Sequence, residues 1–391
     1  MESRRLFLSR SEDRVASLTG LRAVAALLIV GTHAAYGTGQ LSNSYLGTLY
    51  ARLEVGVPIF FVLSGFLLFR PWVRATADGA PTPSLRRYVS RRIRRIVPPY
   101  FVVVLIAYAL YHFRDAGPNP GHNWKGLLEH LTLTQIYEPV YFYVMHQGLT
   151  QTWSLAVEFA FYAVLPLLAG LLLRVLCKGA WRPRPILAGL GCLAAITPAW
   201  LSLQYGTDWL PTSAGMWLPA HLLYFVGGMT LAVLQVIGAR VSLLIAGAVA
   251  VLSYLIVSTP IAGDVIAGET SLWQTLVKVA LYAAIACAAV SALVLRESHG
   301  FERLLNASPV VWLGEISYEV FLLHVITMEI VMASVLNWPV FTGSWAVVVV
   351  LTVAMTVPSA WLLHRWTRAA WATSGPPANT PQSIARVAAV P

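Results

Sequence analysis

The chain has 391 residues, of which 57% are hydrophobic and only 11% are charged. Soluble domains carry about 25% charged residues, so this composition nearly excludes a soluble globular protein and is typical of a polytopic membrane protein. The formal net charge is +10. In a soluble protein that excess would suggest nucleic acid as a partner, but here it first indicates membrane topology, and we expect no nucleic-acid partner.

Ten stretches are apolar and long enough for transmembrane helices, since a helix needs about 20 residues to cross a bilayer. Their approximate limits are 17–38, 53–70, 96–113, 150–174, 185–204, 217–237, 241–260, 273–295, 310–335 and 343–364. In this topology 22 of the 27 lysines and arginines fall on the side of the N-terminus, and basic residues mark the cytoplasmic side. The sequence therefore predicts an all-α polytopic membrane protein with both termini cytoplasmic.

We expect three regions along the chain. They are a basic cytoplasmic N-terminus (1–16), a transmembrane domain (17–372) and a mobile cytoplasmic tail (373–391) rich in Pro, Thr, Ser and Ala. The three cysteines, Cys177, Cys192 and Cys287, lie far apart and have neither metal-ligand nor redox spacing, so we predict no disulfide and no metal site.

Arg22 and His33 interrupt the first apolar stretch. Ionisable residues inside a span are costly and are candidates for function. Eleven positions on a helix return to nearly the same face, so one stripe carries both groups, about 16 Å apart along the axis. The alternative is an arginine that reaches the membrane surface and an unrelated histidine bonded to a backbone carbonyl.

Two further stretches hold polar groups near the predicted cytoplasmic side. Ser64 and Gly65 form a small surface among bulky residues, which usually serves helix packing. Arg92 and Arg95 lie three apart at the start of the third span, and arginine forks suit phosphate oxygens. Contact with anionic lipid headgroups is the alternative for these arginines.

Glu158 lies in the fourth span, at a predicted depth close to that of His33, with Tyr162 one turn further on the same face. A carboxylate beside an imidazole can orient it and stabilise its protonated form, as a general base requires. His324, in the ninth span, could bond Glu158, line a substrate path or satisfy a neighbouring helix. Lys278 and Glu329 also lie in spans, and their partners cannot be read from the sequence.

In this order the motifs resemble the membrane-bound acyltransferase-3 family over nearly the whole chain. Five segments carry the resemblance: Arg22 and His33 with ten residues between them, Phe60 to Leu67 (FFVLSGFL), Arg92 to Pro98 (RIRRIVP), Trp153 to Tyr162 (WSLAVEFAFY) and Ser317 to His324 (SYEVFLLH). The resemblance implies transfer of an acyl group, often acetyl, from cytoplasmic acyl-CoA to a hydroxyl of an extracytoplasmic carbohydrate. The expected partners are thus acyl-CoA, a sugar or glycolipid acceptor and membrane lipid.

The resemblance also implies roles for the matched positions. His33 is expected to be the catalytic base and Glu158 its supporting carboxylate. The expected acyl-CoA contacts are Arg22, Ser64, Gly65, Arg92 and Arg95. The expected acceptor contacts are Trp153, Ser154, Tyr162, Tyr318 and His324.

Two departures and two alternatives accompany this interpretation. The last span reads Trp361 to Arg368 (WLLHRWTR) where many members have a Glu-Lys/Arg-Pro motif, and the chain is too short for the extracytoplasmic hydrolase-like domain that some members carry.

A transporter is the first alternative, because charged residues in spans also mark substrate pathways. A lipid-binding scaffold is the second, although it would leave His33 and Glu158 unexplained. A trehalose- or mannose-containing glycolipid of a bacterial envelope is one candidate acceptor.

Overall fold

The computed structural model describes residues 2–42, 44–114, 117–140, 145–266, 268–295 and 302–372. These residues are mostly helical, and the only β-structure among them is an isolated bridge between Asp264 and Gly268. The α-helices are α1 (Glu2–Gly37), α2 (Ser44–Ala51), α3 (Gly56–Ala77), α4 (Leu85–Phe113), α5 (Trp124–Thr132), α6 (Trp153–Ala169), α7 (Pro183–Ala194), α8 (Ile196–Gly206), α9 (Leu218–Val236), α10 (Leu243–Val257), α11 (Leu272–Val294), α12 (Glu302–Leu305), α13 (Ser308–Glu315), α14 (Ser317–Ile330) and α15 (Trp345–Ala372). The predicted mobile tail 373–391 lies outside the described residues.

Nine helical segments in the described ranges are long and apolar enough to cross a membrane. They correspond to nine of the ten predicted spans, which confirms an all-α polytopic membrane protein. Helices suit this environment because all their backbone groups are paired internally. The predicted span 241–260 corresponds to the shorter apolar helix α10, whose 15 residues cover about 22 Å.

Two predicted continuous spans are divided. The stretch predicted as 185–204 forms α7 and α8, which meet at Ala195. The stretch predicted as 310–335 forms α13 and α14, which meet at Ile316. Beyond α14 the chain continues as a π-helix to Leu336. Apolar composition does not reveal the first break, because the chain stays mostly apolar around Ala195. The second break lies between Glu315 and Ser317, two polar residues in an otherwise apolar stretch.

The crossing of α3 and α9 depends on glycines. A Cβ atom at Gly65 would overlap the carbonyl oxygen of Phe225, and one at Gly228 would overlap that of Val62. Small residues at such crossings let helix backbones approach closely in membranes. Gly65, predicted to line an acyl-CoA channel, therefore holds α3 against α9. Its role is the helix packing that small residues usually serve.

Replacing Gly65 with alanine should destabilise the protein, because the new methyl group meets fixed backbone and not a movable side chain. Overpacking of this kind costs about 1–3 kcal/mol, so we expect a lower Tm in detergent. Gly247→Ala is the matched control, since a Cβ there meets nothing within 4 Å. Equal Tm values for the two variants would contradict the proposed packing role.

A histidine cluster follows α4. The rings of His122 and His146 are joined by a hydrogen bond of 3.2 Å between Nδ1 and Nε2, and the His130 ring centroid lies 6.1 Å from that of His146. His146 is fully buried. Burial, together with its two histidine neighbours, lowers the pKa of His146 to about 3. Burial also lowers the pKa of His130.

Acidification should therefore destabilise this cluster. The buried, neutral His146 contributes fully to the stability of the fold only above the pKa that it has in the unfolded chain, about 6.5. This contribution is lost as the pH falls from there toward about 3, because the unfolded chain binds a proton that the folded chain does not bind. The slope is at most about 1.4 kcal/mol per pH unit. Thermal unfolding at pH 7.5 and 5 measures it. We expect His146→Gln to flatten the slope, whereas the exposed His112→Gln should not; an unchanged slope in His146→Gln would be incompatible with this origin.

Candidate active site

Arg22 and His33 lie on the single continuous helix α1, with a rise of about 16 Å between them. Each faces a different cavity. Arg22 lines the cavity we call the arginine pocket, together with Arg95, Ser154, Glu158, Tyr162, Ser317 and Tyr318. His33 lines the cavity we call the histidine cavity, together with Glu54, Gln151, Trp153, Glu269 and Lys278. The predicted stripe thus connects two separate cavities.

The two cavities meet at two apolar side chains. Val57 of α3 and Phe321 of α14 line both of them. The arginine pocket has an empty volume of about 580 Å³ and the histidine cavity one of about 920 Å³. A molecule extending from Arg22 toward His33 would pass between Val57 and Phe321.

His33 is paired with His324, not with Glu158. Its Nδ1 lies 2.8 Å from Nε2 of His324, and Nδ1 of His324 lies 2.6 Å from the Phe321 carbonyl oxygen. A carbonyl can only accept, so Nδ1 of His324 carries the proton and its Nε2 accepts. The donor to that Nε2 is then the Nδ1–H of His33. In this hydrogen-bond network Nε2 is therefore the unprotonated, basic nitrogen of His33.

Glu158 occupies the arginine pocket, so the predicted pairing of Glu158 with His33 is wrong. Its carboxylate accepts a hydrogen bond from Ser64 and lies beside the Tyr162 hydroxyl and Arg22. Glu158 lies deeper than predicted because its helical segment begins at Gln147, three residues before the predicted start at 150, and because residues Gln147–Thr152 form a 3₁₀-helix, which rises about 2.0 Å per residue instead of 1.5 Å. Counted from Gln147, Glu158 therefore lies about 20 Å into the span.

The arginine pocket also receives residues that were expected at the acceptor. Ser154, Tyr162 and Tyr318 all line it, and the Tyr318 hydroxyl donates to the Ile96 carbonyl oxygen at 3.0 Å. Of the five predicted acceptor contacts, only Trp153 lines the histidine cavity. Trp153 and Ser154 are neighbours on one helix but point to different sides of it, so each lines a different cavity.

Positive charge surrounds the arginine pocket. Arg92 and Arg95 lie close enough to Arg22 to interact with it electrostatically, and the Nε of Arg22 is buried without a hydrogen-bond partner in the described residues. Arg95 and Tyr318 are shared with a neighbouring cavity of about 1120 Å³, which Arg91, Arg368 and His364 also line. His364 of α15 bonds Glu319 at 2.8 Å, so the atypical last helix contributes directly to this basic region.

Charged side chains that the sequence did not connect form one network in the histidine cavity. The Nζ of Lys278 lies 2.8 Å from Glu54 and 2.7 Å from Glu269, and the Tyr282 hydroxyl donates to Glu54 at 2.7 Å. Arg52 donates to the backbone carbonyls of Val257, Ala262 and Gly263. Lys278 thus has two acidic partners. Neither could be found by spacing, because Glu54 precedes α3 and Glu269 precedes α11.

Glu329 and the cysteines lie outside both cavities. Glu329 accepts a hydrogen bond from Tyr111 and lies 3.8 Å from Arg114, which ties α14 to the end of α4. The three cysteines are free. Within the described ranges, no group of three or more His, Cys, Asp or Glu side chains has the geometry to hold a metal ion.

Similarity to known proteins extends over most of the chain. A family model described as an acyltransferase domain matches residues 15–365. The chain is 32% identical over 246 residues to acyltransferase MdmB of Streptomyces mycarofaciens, covering 56% of this chain and 57% of MdmB. It is 28% identical over 220 residues to the peptidoglycan O-acetyltransferase OatA of Listeria monocytogenes, covering 51% of this chain and 30% of OatA. The matches thus span little more than half of MdmB and less than a third of OatA. No solved structure matches.

Proposed function

The chain belongs to the acyltransferase-3 family of membrane acyltransferases, and from that premise we propose that it moves an acyl group across the bilayer. The donor is acyl-CoA, with acetyl as the acyl group, bound from the cytoplasm. The acceptor is a hydroxyl of a sugar or glycolipid on the outer side of the bacterial plasma membrane. One observation carries the proposal: a basic pocket and a histidine cavity lie along one helix and meet at Val57 and Phe321.

The basic region suits the donor. Arg22, Arg92 and Arg95 concentrate positive charge at one end of the path, and guanidinium groups recognise phosphate oxygens through paired hydrogen bonds. The orphaned Nε of Arg22 offers a donor that a phosphate oxygen could satisfy. An extended pantetheine arm is roughly as long as the 16 Å that separates Arg22 from His33. The arm would then pass between Val57 and Phe321 and place the thioester beside His33.

The histidine cavity suits the transfer step. Nε2 of His33 removes the proton of the acceptor hydroxyl while that oxygen attacks the thioester carbonyl. A C–O bond forms, the C–S bond breaks, and the proton passes from His33 to the departing CoA thiolate. The transfer is direct, with no acyl-enzyme and no metal. His324 acts as a positioning residue, because its Nε2 keeps the His33 proton on Nδ1.

Acyl transfer by the purified protein tests the proposal. The protein in nanodiscs is mixed with labelled acetyl-CoA and a panel of envelope glycolipids that includes trehalose and mannose glycolipids. We expect labelled acetyl ester and an equal amount of free CoA with at least one acceptor. A protein that releases no CoA with any acceptor, yet binds one of them, would instead support the transporter.

Replacing His324 separates positioning from chemistry. We expect His324→Ala to lower kcat by about 10²-fold with little change in KM, because a base held in the wrong tautomer loses most of its activity. His324→Gln should recover part of this loss, since its amide oxygen can also accept from Nδ1 of His33. If His324→Gln were as impaired as His324→Ala while both remained folded, the tautomer role would be wrong.

A further inference from the structure

A second large cavity adjoins the histidine cavity. This side chamber lies between α3, α8, α9 and α11 and has an empty volume of about 980 Å³. It shares five residues with the histidine cavity, namely Glu54, Val57, Trp153, Glu269 and Lys278. A molecule whose reactive hydroxyl lies at His33 could therefore extend past Trp153 into the side chamber.

The side chamber has mainly apolar and aromatic walls. These include Phe61, Leu201, Met216, Ala220, Tyr224 and Val279. The ring of Trp153 lies 5.1 Å from that of His221, centroid to centroid, and Phe61 meets His221 edge to face at 5.8 Å. Such walls suit the apolar face of a ring.

Two hydrogen-bond acceptors among its lining residues have no partner. Nε2 of His221 and Oε1 of Gln204 are both buried and unpaired within the described part of the chain. The amide nitrogen of Gln204 donates to the Thr212 carbonyl oxygen at 3.3 Å, which leaves Oε1 available. The His221 imidazole also interacts with the Gly215 backbone, and in the tautomer protonated on Nδ1 the unpaired Nε2 is an acceptor. Buried acceptors without partners require an explanation, and a ligand with donor groups supplies one.

The shared wall favours a neutral ligand. Lys278 is engaged by both Glu54 and Glu269, and the Arg52 guanidinium is engaged by backbone carbonyls. Arg52 lines only the histidine cavity, where it lies 3.8 Å from Glu54 and 4.0 Å from Glu269. Both glutamates are therefore already paired with cations, and neither is left free for a charged ligand. Hydroxyl groups supply the donors that His221 and Gln204 lack, without adding charge.

We propose that the side chamber is a second acceptor subsite, which binds a neutral hydroxylated ring adjoining the ring that is acylated. The acceptor class is accordingly a glycoside of at least two rings, not a single free sugar. This inference rests on the proposed function, because it takes the histidine cavity as the site of the acylated ring. It adds that Trp153 separates the two rings and that His221 and Gln204 select the second one.

Sugar binding without acyl-CoA tests the subsite independently of the chemistry. Tryptophan fluorescence of the protein in nanodiscs is titrated with pairs of one-ring and two-ring sugars: methyl α-glucoside with maltose, methyl α-glucoside with trehalose, and methyl α-mannoside with α-1,2-mannobiose. For at least one pair we expect the two-ring sugar to bind about tenfold more tightly, as two additional hydrogen bonds allow. Equal affinity within all three pairs would overturn the proposal.

Two variants test whether His221 and Gln204 cause the difference in affinity between one-ring and two-ring sugars. The double variant His221→Phe and Gln204→Leu removes both acceptors at similar volume and should abolish the preference for the two-ring sugar. Gln235→Leu is the matched control. Gln235 lies on α9, outside the chamber, and its Oε1 is also buried without a partner in the described residues. This variant should still prefer the two-ring sugar. A preference that survives in the double variant would overturn the subsite. If the preference stands but no sugar is ever acylated, the proposed function fails and the subsite remains.

Discussion

His33→Ala should reduce acyl transfer by about 10²- to 10⁴-fold, the range typical for loss of a general acid or base. The loss should appear in kcat, because His33 lies in the histidine cavity, away from the arginines that would hold acyl-CoA. A large loss of activity is expected because the Nδ1–H of the half-buried His33 is held by His324. Its Nε2 is therefore the nitrogen that faces the acceptor hydroxyl. Transfer of label from acetyl-CoA, with KM measured for both substrates, checks it.

The exposed His112 provides the matched control. His112→Ala removes an equivalent side chain outside both cavities and should leave transfer unchanged. Bound acyl-CoA should remain detectable in His33→Ala, which shows that the variant folds. Undiminished transfer by a folded His33→Ala would rule out His33 as the base.

Arg22→Gln and Arg95→Ala should each raise the KM for acyl-CoA by about 10- to 100-fold, because each removes a charge-assisted contact worth about 1.5–3 kcal/mol. The KM for the acceptor should change little, since the pocket that these arginines line is separated from the histidine cavity by Val57 and Phe321. Initial rates at varied acyl-CoA and fixed acceptor, and the reverse, measure the two constants.

Arg184→Ala is the control for this pair. Arg184 is exposed and belongs to the same predicted cytoplasmic side, but it lines neither the arginine pocket nor its basic neighbour. We expect its KM values to match those of the unaltered protein. A larger change for the acceptor than for acyl-CoA in the Arg22 and Arg95 variants would reassign both arginines as lipid anchors.

Apolar length and helical periodicity were sufficient to predict the spans and to place Arg22 and His33 on one stripe of α1. Apolar length determines which helices can cross a bilayer, and an uninterrupted helix fixes the relation between Arg22 and His33. The position of Glu158 was not predictable in this way, because it depends on where its span begins and on a short 3₁₀-helix there. Motif membership likewise could not separate Gly65, which packs against Phe225, from residues that line a pocket.

The partners of buried charges were the least predictable feature. His33 meets His324, 291 positions away in the sequence, and Lys278 meets Glu54 and Glu269. Such contacts arise from how helices pack, for which one sequence carries no direct signal. Lys278 alone suggested pairing with a buried acid, since an unpaired charge in a span is costly. It did not predict which acid, nor that two would be used.

Transfer across a sealed membrane is the most direct test of the proposal that the donor pocket and the acceptor cavity open to opposite sides. Proteoliposomes are loaded with the glycolipid or glycoside acceptor, and labelled acetyl-CoA is added only outside. We expect labelled acetyl ester on the trapped acceptor and an equal amount of free CoA outside, with both products absent in His33→Ala. Labelled product that forms only when acetyl-CoA and acceptor share one compartment would contradict transfer through the protein from Arg22 to His33.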